Sequence, residues 1–342
     1  MRYIYNVGLV DPLHFGGNKM KIRGKITIVF VILVLSAAPA FSQMQIEKLQ
    51  STMDEFTDNL AKSLPFNSSM GLNWADAYIG KFPHFGIGFS FGLTTMDLGS
   101  FGKLLDIFAP ALPGWLTGFG GFPIPGYAVE GRLGGFVLPF DIGFKFGLMP
   151  IEAKQFNKFD YFLIGGDVRY AIIEQNVILP TISVGVGFSY LSGALGMTAG
   201  ADRKFSYTAG GTTVSATMKA PEITVDWSTA SLDFKAQISK TFVFITPYLG
   251  VGANTGWQKA GFDVTMKTVG SDEFEKLKQI FDGIGINLSE TGFSSKRELG
   301  NSWNARIFGG LTFTAAIARI ELTAFYNFID KYGATIGARI QL

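Results

Sequence analysis

The chain has no cysteine among its 342 residues. It therefore has no disulfide framework, no thiolate metal site and no cysteine to carry a lipid anchor. Charge is scarce too: Asp, Glu, Lys and Arg make up 16%, with a formal net charge of +2. That removes the basic surface on which a nucleic-acid partner depends. Long apolar runs are also missing. Beyond residue 42 no stretch reaches the roughly 18 to 20 uninterrupted apolar residues that a membrane-spanning helix needs. Yet 47% of the residues are hydrophobic and the mean hydropathy is +0.26, high for a water-soluble chain. What is abundant is glycine (43) and phenylalanine (33), dispersed along alternating segments.

The amino-terminal region reads as an export signal. Lys21, Arg23 and Lys25 precede an apolar run from Ile26 to Leu35, and Ala40-Phe41-Ser42 supplies a small-x-small cleavage site. This pattern predicts a secretory signal over Met20 to Ser42, preceded by upstream residues, with Gln43 opening the mature chain.

Ten segments then alternate with period two, the mark of a strand with two unlike faces. The first, Phe85 to Thr95, sets Phe85, Ile87, Phe89, Phe91 and Leu93 against Gly86, Gly88, Ser90 and Gly92. The others are expected over Tyr127 to Val137, Phe140 to Leu148, Tyr161 to Ile172, Thr181 to Tyr190, Ala230 to Ile238, Val243 to Ala253, Trp303 to Thr314, about Arg319 to Phe328, and Tyr332 to Leu342. Tight turns alternate with long connections over 96–126, 191–229 and 254–302 and a medium one over 149–160. All the long connections therefore lie at one end. Short periplasmic turns, long external loops and an even strand count are features of transmembrane barrels. The fold expected is all-β: a closed antiparallel up-and-down transmembrane β-barrel of about ten strands, with twelve to fourteen as the alternative, over residues 83–342. An outer aromatic girdle is expected from Tyr127, Tyr161, Tyr190, Trp227, Trp257, Trp303, Phe328 and Tyr332.

The last strand carries a resemblance. Thr335-x-Gly337-x-x-Ile340-x-Leu342 resembles the β-signal that ends bacterial outer-membrane barrels, without their usual terminal Phe. The resemblance implies a place in the outer membrane and insertion by the barrel assembly machinery, which reads Thr335, Gly337, Ile340 and Leu342. The segment "GLNWADAYIG" is faintly similar to the amino-terminal part of outer-membrane long-chain fatty acid transporters, although their Asn-Pro-Ala signature is missing.

If the apolar faces meet lipid, the opposite faces line the lumen. The lining candidates are Glu130, Arg132, Asp141, Lys145, Asp167, Arg169, Asp233, Lys235, Arg306, Arg319, Glu321 and Arg339. Neighbours of opposite sign on one strand, such as Glu130 with Arg132 or Asp167 with Arg169, suggest a packed ionic network. The other reading is a slender, weakly anion-preferring pore.

Ahead of the barrel, over residues 43–82, Ile46, Leu49, Met53, Phe56 and Leu60 recur at helical spacing. Such a helix can plug the lumen, lie on the inner leaflet or meet a periplasmic partner; packing against the barrel's own base is the commonest use of such a stripe. In the loop over 96–126, Phe101, Leu105, Phe108, Trp115, Phe119 and Phe122 suggest a lid or an entry route for a hydrophobic small molecule. A third short helix is expected over Ser271 to Phe281.

No enzyme chemistry is legible. His84 is the sole histidine beyond the signal region and falls at the periplasmic end of the first strand. There is no phosphate-binding glycine loop, no metal-ligand spacing and no implied cofactor. Two function classes remain: passage or binding of small or hydrophobic solutes, and a non-transporting surface barrel that displays its external loops.

Overall fold

The computed structural model describes residues 43–78, 80, 84–96, 122–135, 138–153, 156–198, 201–209, 212–272, 274–275, 279, 290–300, 303–328 and 331–342. The predicted signal segment and the lid candidates Phe101, Leu105, Phe108, Trp115 and Phe119 lie outside them.

Ten strands form a closed antiparallel barrel. They are β1 (His84–Met96), β2 (Phe122–Gly134), β3 (Phe140–Ala153), β4 (Phe156–Ile173), β5 (Thr181–Thr198), β8 (Glu222–Ser239), β9 (Ile245–Gly270), β11 (Asn304–Ala315), β12 (Ala318–Asn327) and β13 (Lys331–Gln341). Each pairs with the next, and β13 pairs with β1 from Gly86↔Gln341 to Thr94↔Gly333. The Leu342 amide adds a bond to the Phe85 carbonyl at 2.9 Å. Closure meets a physical need, because an unpaired backbone N–H or C=O in hydrocarbon costs several kcal/mol. Three further strands lie outside the ring: β6 (Arg203–Ala209), β7 (Thr212–Met218) and β10 (Glu290–Gly300).

The outward faces carry Phe85, Ile87, Phe89, Ile142, Phe144, Val184, Val186, Leu322 and Ile336, all exposed, while the intervening residues are buried or half-buried. This pattern inverts partway up the longest strands. On β9, Leu249, Val251 and Trp257 point out and Asn254 and Gln258 point in; two residues above Trp257, Lys259, Asp263 and Lys267 point out, while Ala260, Phe262 and Val264 are buried within. On β8 likewise, Lys235 and Ser231 give way inside to Trp227, Val225 and Ile223, and the outer face becomes Asp226 and Glu222. An outer face that changes from apolar to charged marks the upper edge of the lipid band.

The sheet therefore continues beyond the membrane. This corrects two expected loops. Residues 191–198 and 222–229 are paired strand, from Leu191↔Thr229 to Thr198↔Glu222, as are most of 254–270 and 290–300. The medium connection over 149–160 is likewise strand on both sides of residues 154–155, and β2 starts at Phe122. The cause is the apolar inner face of this wall, which buries a helix.

That helix is α1 (Gln43–Ser68). Its stripe Met53, Phe56, Leu60 and Leu64 packs on Leu195, Ile223, Val225, Trp227, Phe262 and Val264. Full burial of side chains of this size contributes about 1.5–3 kcal/mol each. Helix α1 thus lies along the inside of the wall, and the sequence-based expectation of packing at the barrel's base is overturned. Trp227 and Tyr161, expected in the outer girdle, point inward and are buried, whereas Tyr190, Trp257, Trp303, Phe328 and Tyr332 face outward.

After Ser68 the chain leaves helical geometry through Gly71 (φ 82°) and Leu72 (φ 57°). A non-glycine residue rarely adopts a left-handed conformation unless its surroundings impose it. Here the Leu72 amide is held by the Glu130 carboxylate at 2.9 Å. Of the expected third helix, Ser271, Asp272, Phe274, Glu275 and Gln279 are described; the Glu275 amide bonds the Ser271 carbonyl and Phe274 is buried.

Candidate functional site

An irregular segment inside a barrel at membrane depth faces the same constraint as a sheet edge: its backbone polar groups need partners that lipid cannot supply. Residues 68–77 find them on the lumen wall. Lys145 Nζ donates to the carbonyls of Ser68 and Met70, both at 2.7 Å. Lys235 Nζ and an Arg132 guanidinium nitrogen both donate to Leu72 O. Gln237 Nε2 donates to Trp74 O at 2.7 Å and Ala75 O at 3.1 Å, and Arg169 Nη1 donates to Asp76 O at 2.7 Å.

Wall acceptors meet the plug's amides. Glu321 Oε2 accepts from Ala75 N at 2.9 Å and Ser239 Oγ from Ala77 N at 3.1 Å. Glu130 accepts from Leu72 N, from Trp74 Nε1 at 2.6 Å and from Ser90 Oγ. Hydrogen bonds reach the segment from β2, β3, β4, β8, β11, β12 and β13, so it lies within the lumen as a plug.

Trp74 is the plug's bulkiest group. Arg339 and Arg132 lie over its ring at 4.5 and 5.7 Å. Gly86 makes room for it, since a Cβ there would meet the indole at 2.7 Å. Beside Trp74 the described lumen retains a void of about 10 Å³ lined by Glu130, Glu321 and Arg339, roughly one water molecule.

All twelve lumen-lining candidates have inward-facing side chains. Glu130, Arg132, Asp141, Lys145, Asp167, Arg169, Lys235, Arg306, Glu321 and Arg339 are buried, and Asp233 and Arg319 are partly so. Their ion pairs differ from those expected along single strands. Arg132 bridges Asp141 and Asp167, the latter at 2.7 Å. Arg169 pairs with Asp141 at 2.6 Å, Lys235 with Asp167 at 2.5 Å, Arg306 with Asp233 at 2.7 Å and Arg339 with Glu321 at 2.5 Å.

Geometry explains this difference. Inward residues two apart on one strand are about 6.6 Å apart, whereas directly paired residues on neighbouring strands are about 4.5–5.5 Å apart. Glycines extend the reach across a whole strand. Gly143 stands opposite both Arg132 and Asp167, and Gly252 opposite both Arg306 and Lys235. A Cβ at Gly252 would meet Arg306 Nε at 3.0 Å.

Two functional residues escaped sequence reasoning: Trp74 and Asp76. Asp76 accepts from Arg319 at 2.6 Å and Arg339 at 2.8 Å. A signal existed, because the twelve wall candidates comprise seven cations and five carboxylates, an imbalance that calls for a further buried anion.

Of the remaining sequence candidates, Phe122 opens β2 opposite Met96. Thr335 faces inward, Gly337 pairs with Ser90, and Ile340 and Leu342 face outward. His84 begins β1 opposite Gly134. Above the lipid band, Lys259 and Glu298 bond at 2.8 Å, which raises the ammonium pKa and lowers that of the carboxyl.

No protein-family model and no curated protein sequence matches the chain. Among solved structures, the attachment invasion locus protein Ail of Yersinia pestis aligns at 11% identity and a TM-score of 0.25, over 76% of this chain and 97% of that one. The translocator domain of the autotransporter NalP from Neisseria meningitidis aligns at 9% identity and a TM-score of 0.32, over 92% and 98%. The monoaromatic hydrocarbon channel CymD aligns at 9% identity and 0.24, over 83% and 92%.

The deciding features belong to the chain itself: a sheet without a seam, an apolar outer belt and a charged, filled interior. The chain is an outer-membrane β-barrel. Its lumen is occupied by its own amino-terminal segment, and its wall rises beyond the membrane on one side.

Proposed function

We propose that the protein is a sealed surface barrel, whose work is done by the wall and mouth above the membrane, and that its lumen offers no standing route for solutes. The observation that carries this reading is the clamp on residues 68–77: side chains from five strands bond the plug's backbone, two more strands bond its side chains through Arg306 to Ser69 and Arg339 to Asp76, and the described void beside Trp74 admits about one water. Solute passage through the lumen would require those bonds to break together. The arrangement therefore favours the display class over the transport class. The carboxyl-terminal residues Thr335, Gly337, Ile340 and Leu342 serve in this reading as the address for the assembly machinery.

Planar-bilayer recording of the purified protein tests the reading. A silent membrane is expected; discrete single-channel steps from the unmodified chain would overturn it in favour of solute passage.

Binding of a hydrophobic small molecule has one specific observation in its favour. A cavity of about 300 Å³ lies at Leu148, Asp160, Tyr161, Phe162, Ser192, Gly193 and Ala194, and the buried Tyr161 hydroxyl beside it has no hydrogen-bond partner. Saturable quenching of protein fluorescence by an apolar probe that carries one hydrogen-bond acceptor, weakened on Tyr161→Phe, would support this second reading.

A further inference from the structure

The direction in which α1 enters the barrel is fixed by its contacts. Its amino half is beside the raised wall. Arg297 of β10 approaches Asp54 at 3.3 Å and Asp58 at 3.5 Å, and Met53 and Phe56 join the cluster with Phe262 and Val264. Its carboxyl end is deeper, where the Ser68 hydroxyl meets that of Ser231 at 2.6 Å. The plug then descends past Lys145, Glu130 and Arg339 to Asp76 and Ala77, and β1 begins at His84 beside Gly134, at the end of the barrel that carries the short turns.

Exposure follows the same gradient. Gln50, Ser51, Glu55 and Lys62 are exposed along one polar stripe of α1, whereas every residue from Ser63 to Ala75 is buried. The stripe opens to water on the side away from the wall, as a helix standing in a mouth would present it.

The two ends of the barrel differ. One carries the turns over 174–180, 240–244 and 316–317; the other carries the β6–β7 hairpin, β10 and the charged outer faces of β8 and β9. In outer-membrane barrels short turns face the periplasm and long connections face the exterior. About 20 residues separate Leu64 from His84, ample reach for an apolar band about 25 Å tall.

We propose that α1 enters the barrel from the cell exterior. The polypeptide thereby crosses the membrane an eleventh time, inside its own lumen. The amino end of α1 stands at the cell surface beside β10, while Leu342 stays at the periplasmic rim. Gln50 and Leu342 thus lie on opposite sides of the membrane, where an even strand count alone would put the two flanks of the barrel on the same side. The strands must then close around a segment already threaded outward. The exposed stripe of α1 becomes a surface grip on a tether that is covalently continuous with β1 at the periplasmic rim.

The absence of cysteine makes the test clean. Gln50→Cys, Lys204→Cys in β6 and Gln175→Cys in a short turn are introduced singly, and each barrel is checked for its heat-dependent gel shift. Each is then exposed to a membrane-impermeant maleimide on intact cells and after outer-membrane permeabilisation. The expected result is full labelling of Gln50→Cys and Lys204→Cys on intact cells, with Gln175→Cys labelled only after permeabilisation. Labelling of Gln50→Cys only after permeabilisation, or in neither state, with Lys204→Cys reactive, overturns the eleventh crossing. Labelling of Gln175→Cys but not Lys204→Cys on intact cells reverses the sidedness and overturns it as well. None of these outcomes depends on whether the lumen conducts.

Discussion

Replacing Glu130 with alanine removes the acceptor that three donors share. Leu72 N at 2.9 Å, Trp74 Nε1 at 2.6 Å and Ser90 Oγ lose their partner, and the first two are left buried in the plug. A hydrogen bond to a charged group is worth about 1.5–3 kcal/mol, and leaving a donor buried and unsatisfied costs about 1–3 kcal/mol. These effects are not additive, and a sum of about 3–5 kcal/mol allows for the overlap. Leu72 also keeps its positive φ only while its amide is held.

At about 1.4 kcal/mol per factor of ten, the population with the plug unseated should rise from about 10²-fold to about 4 × 10³-fold. The assay is the labelling rate of Ser68→Cys, a nearly isosteric change at a position 1% exposed. When opening is fast relative to labelling, the rate tracks the opening equilibrium. Glu130→Gln, which retains one acceptor oxygen, should fall between the two. If Ser68→Cys reacts equally slowly in the Glu130→Ala and parent proteins, with both barrels folded, the clamp does not hold the plug and the reasoning fails.

Other perturbations follow from the same contacts. Gly86→Leu drives a side chain into the Trp74 indole at about 1–3 kcal/mol of overpacking. It should accelerate Ser68→Cys labelling, while Gly131→Ala, with its nearest neighbour at 3.9 Å, should leave the rate unchanged. Phe262→Ala opens a cavity under α1 at about 3–5 kcal/mol, so limited proteolysis should cut α1 in the variant while the barrel stays intact. Ile336→Lys puts a charge on the lipid face, 51% exposed, at about 2–4 kcal/mol, and should lower the denaturant midpoint in lipid vesicles. Lys259→Ala, on the same outward face as Trp257 but above the belt, should change the unfolding free energy from the same titration by under about 0.5 kcal/mol.

Much of the barrel is legible in the alternation alone, because lipid outside and charge inside impose opposite demands on successive residues. The sites where strands stop are less legible. The inward and outward alternation of "EITVDWSTASLDFKAQIS" runs unbroken through Ala230, but the apolar phase slips by one residue at Ser228-Thr229: below, the apolar Ala230, Leu232 and Phe234 lie on the outward face; above, the apolar Trp227, Val225 and Ile223 lie on the inward face, against α1. Hydrophobic periodicity reports that two faces differ, without saying which one meets a protein partner. That is why residues 191–198 and 222–229 read as loop and why Trp227 was expected in the girdle.

The inward charges could be listed from the sequence, but their partners could not. Pairing across Gly143 or Gly252 depends on register between strands that are distant in sequence. The helical stripe over residues 43–82 allowed a lumen plug as one of several placements, and the surplus of wall cations that Asp76 helps to balance was a further signal in its favour. Its irregular backbone has no period, so contacts such as Lys145 to the Ser68 and Met70 carbonyls leave no trace in the pattern.

The most direct test of a lumen filled by its own chain is the double variant Ser68→Cys, Ser231→Cys. The two hydroxyls are 2.6 Å apart and 163 positions apart in sequence, and a seated plug brings the thiols within the reach of a disulfide. Mild oxidation of the folded barrel should consume both thiols, and the bond should persist through purification in lipid. Two thiols that stay free and freely labelled, on a barrel that still shows its heat-dependent gel shift, would contradict the account.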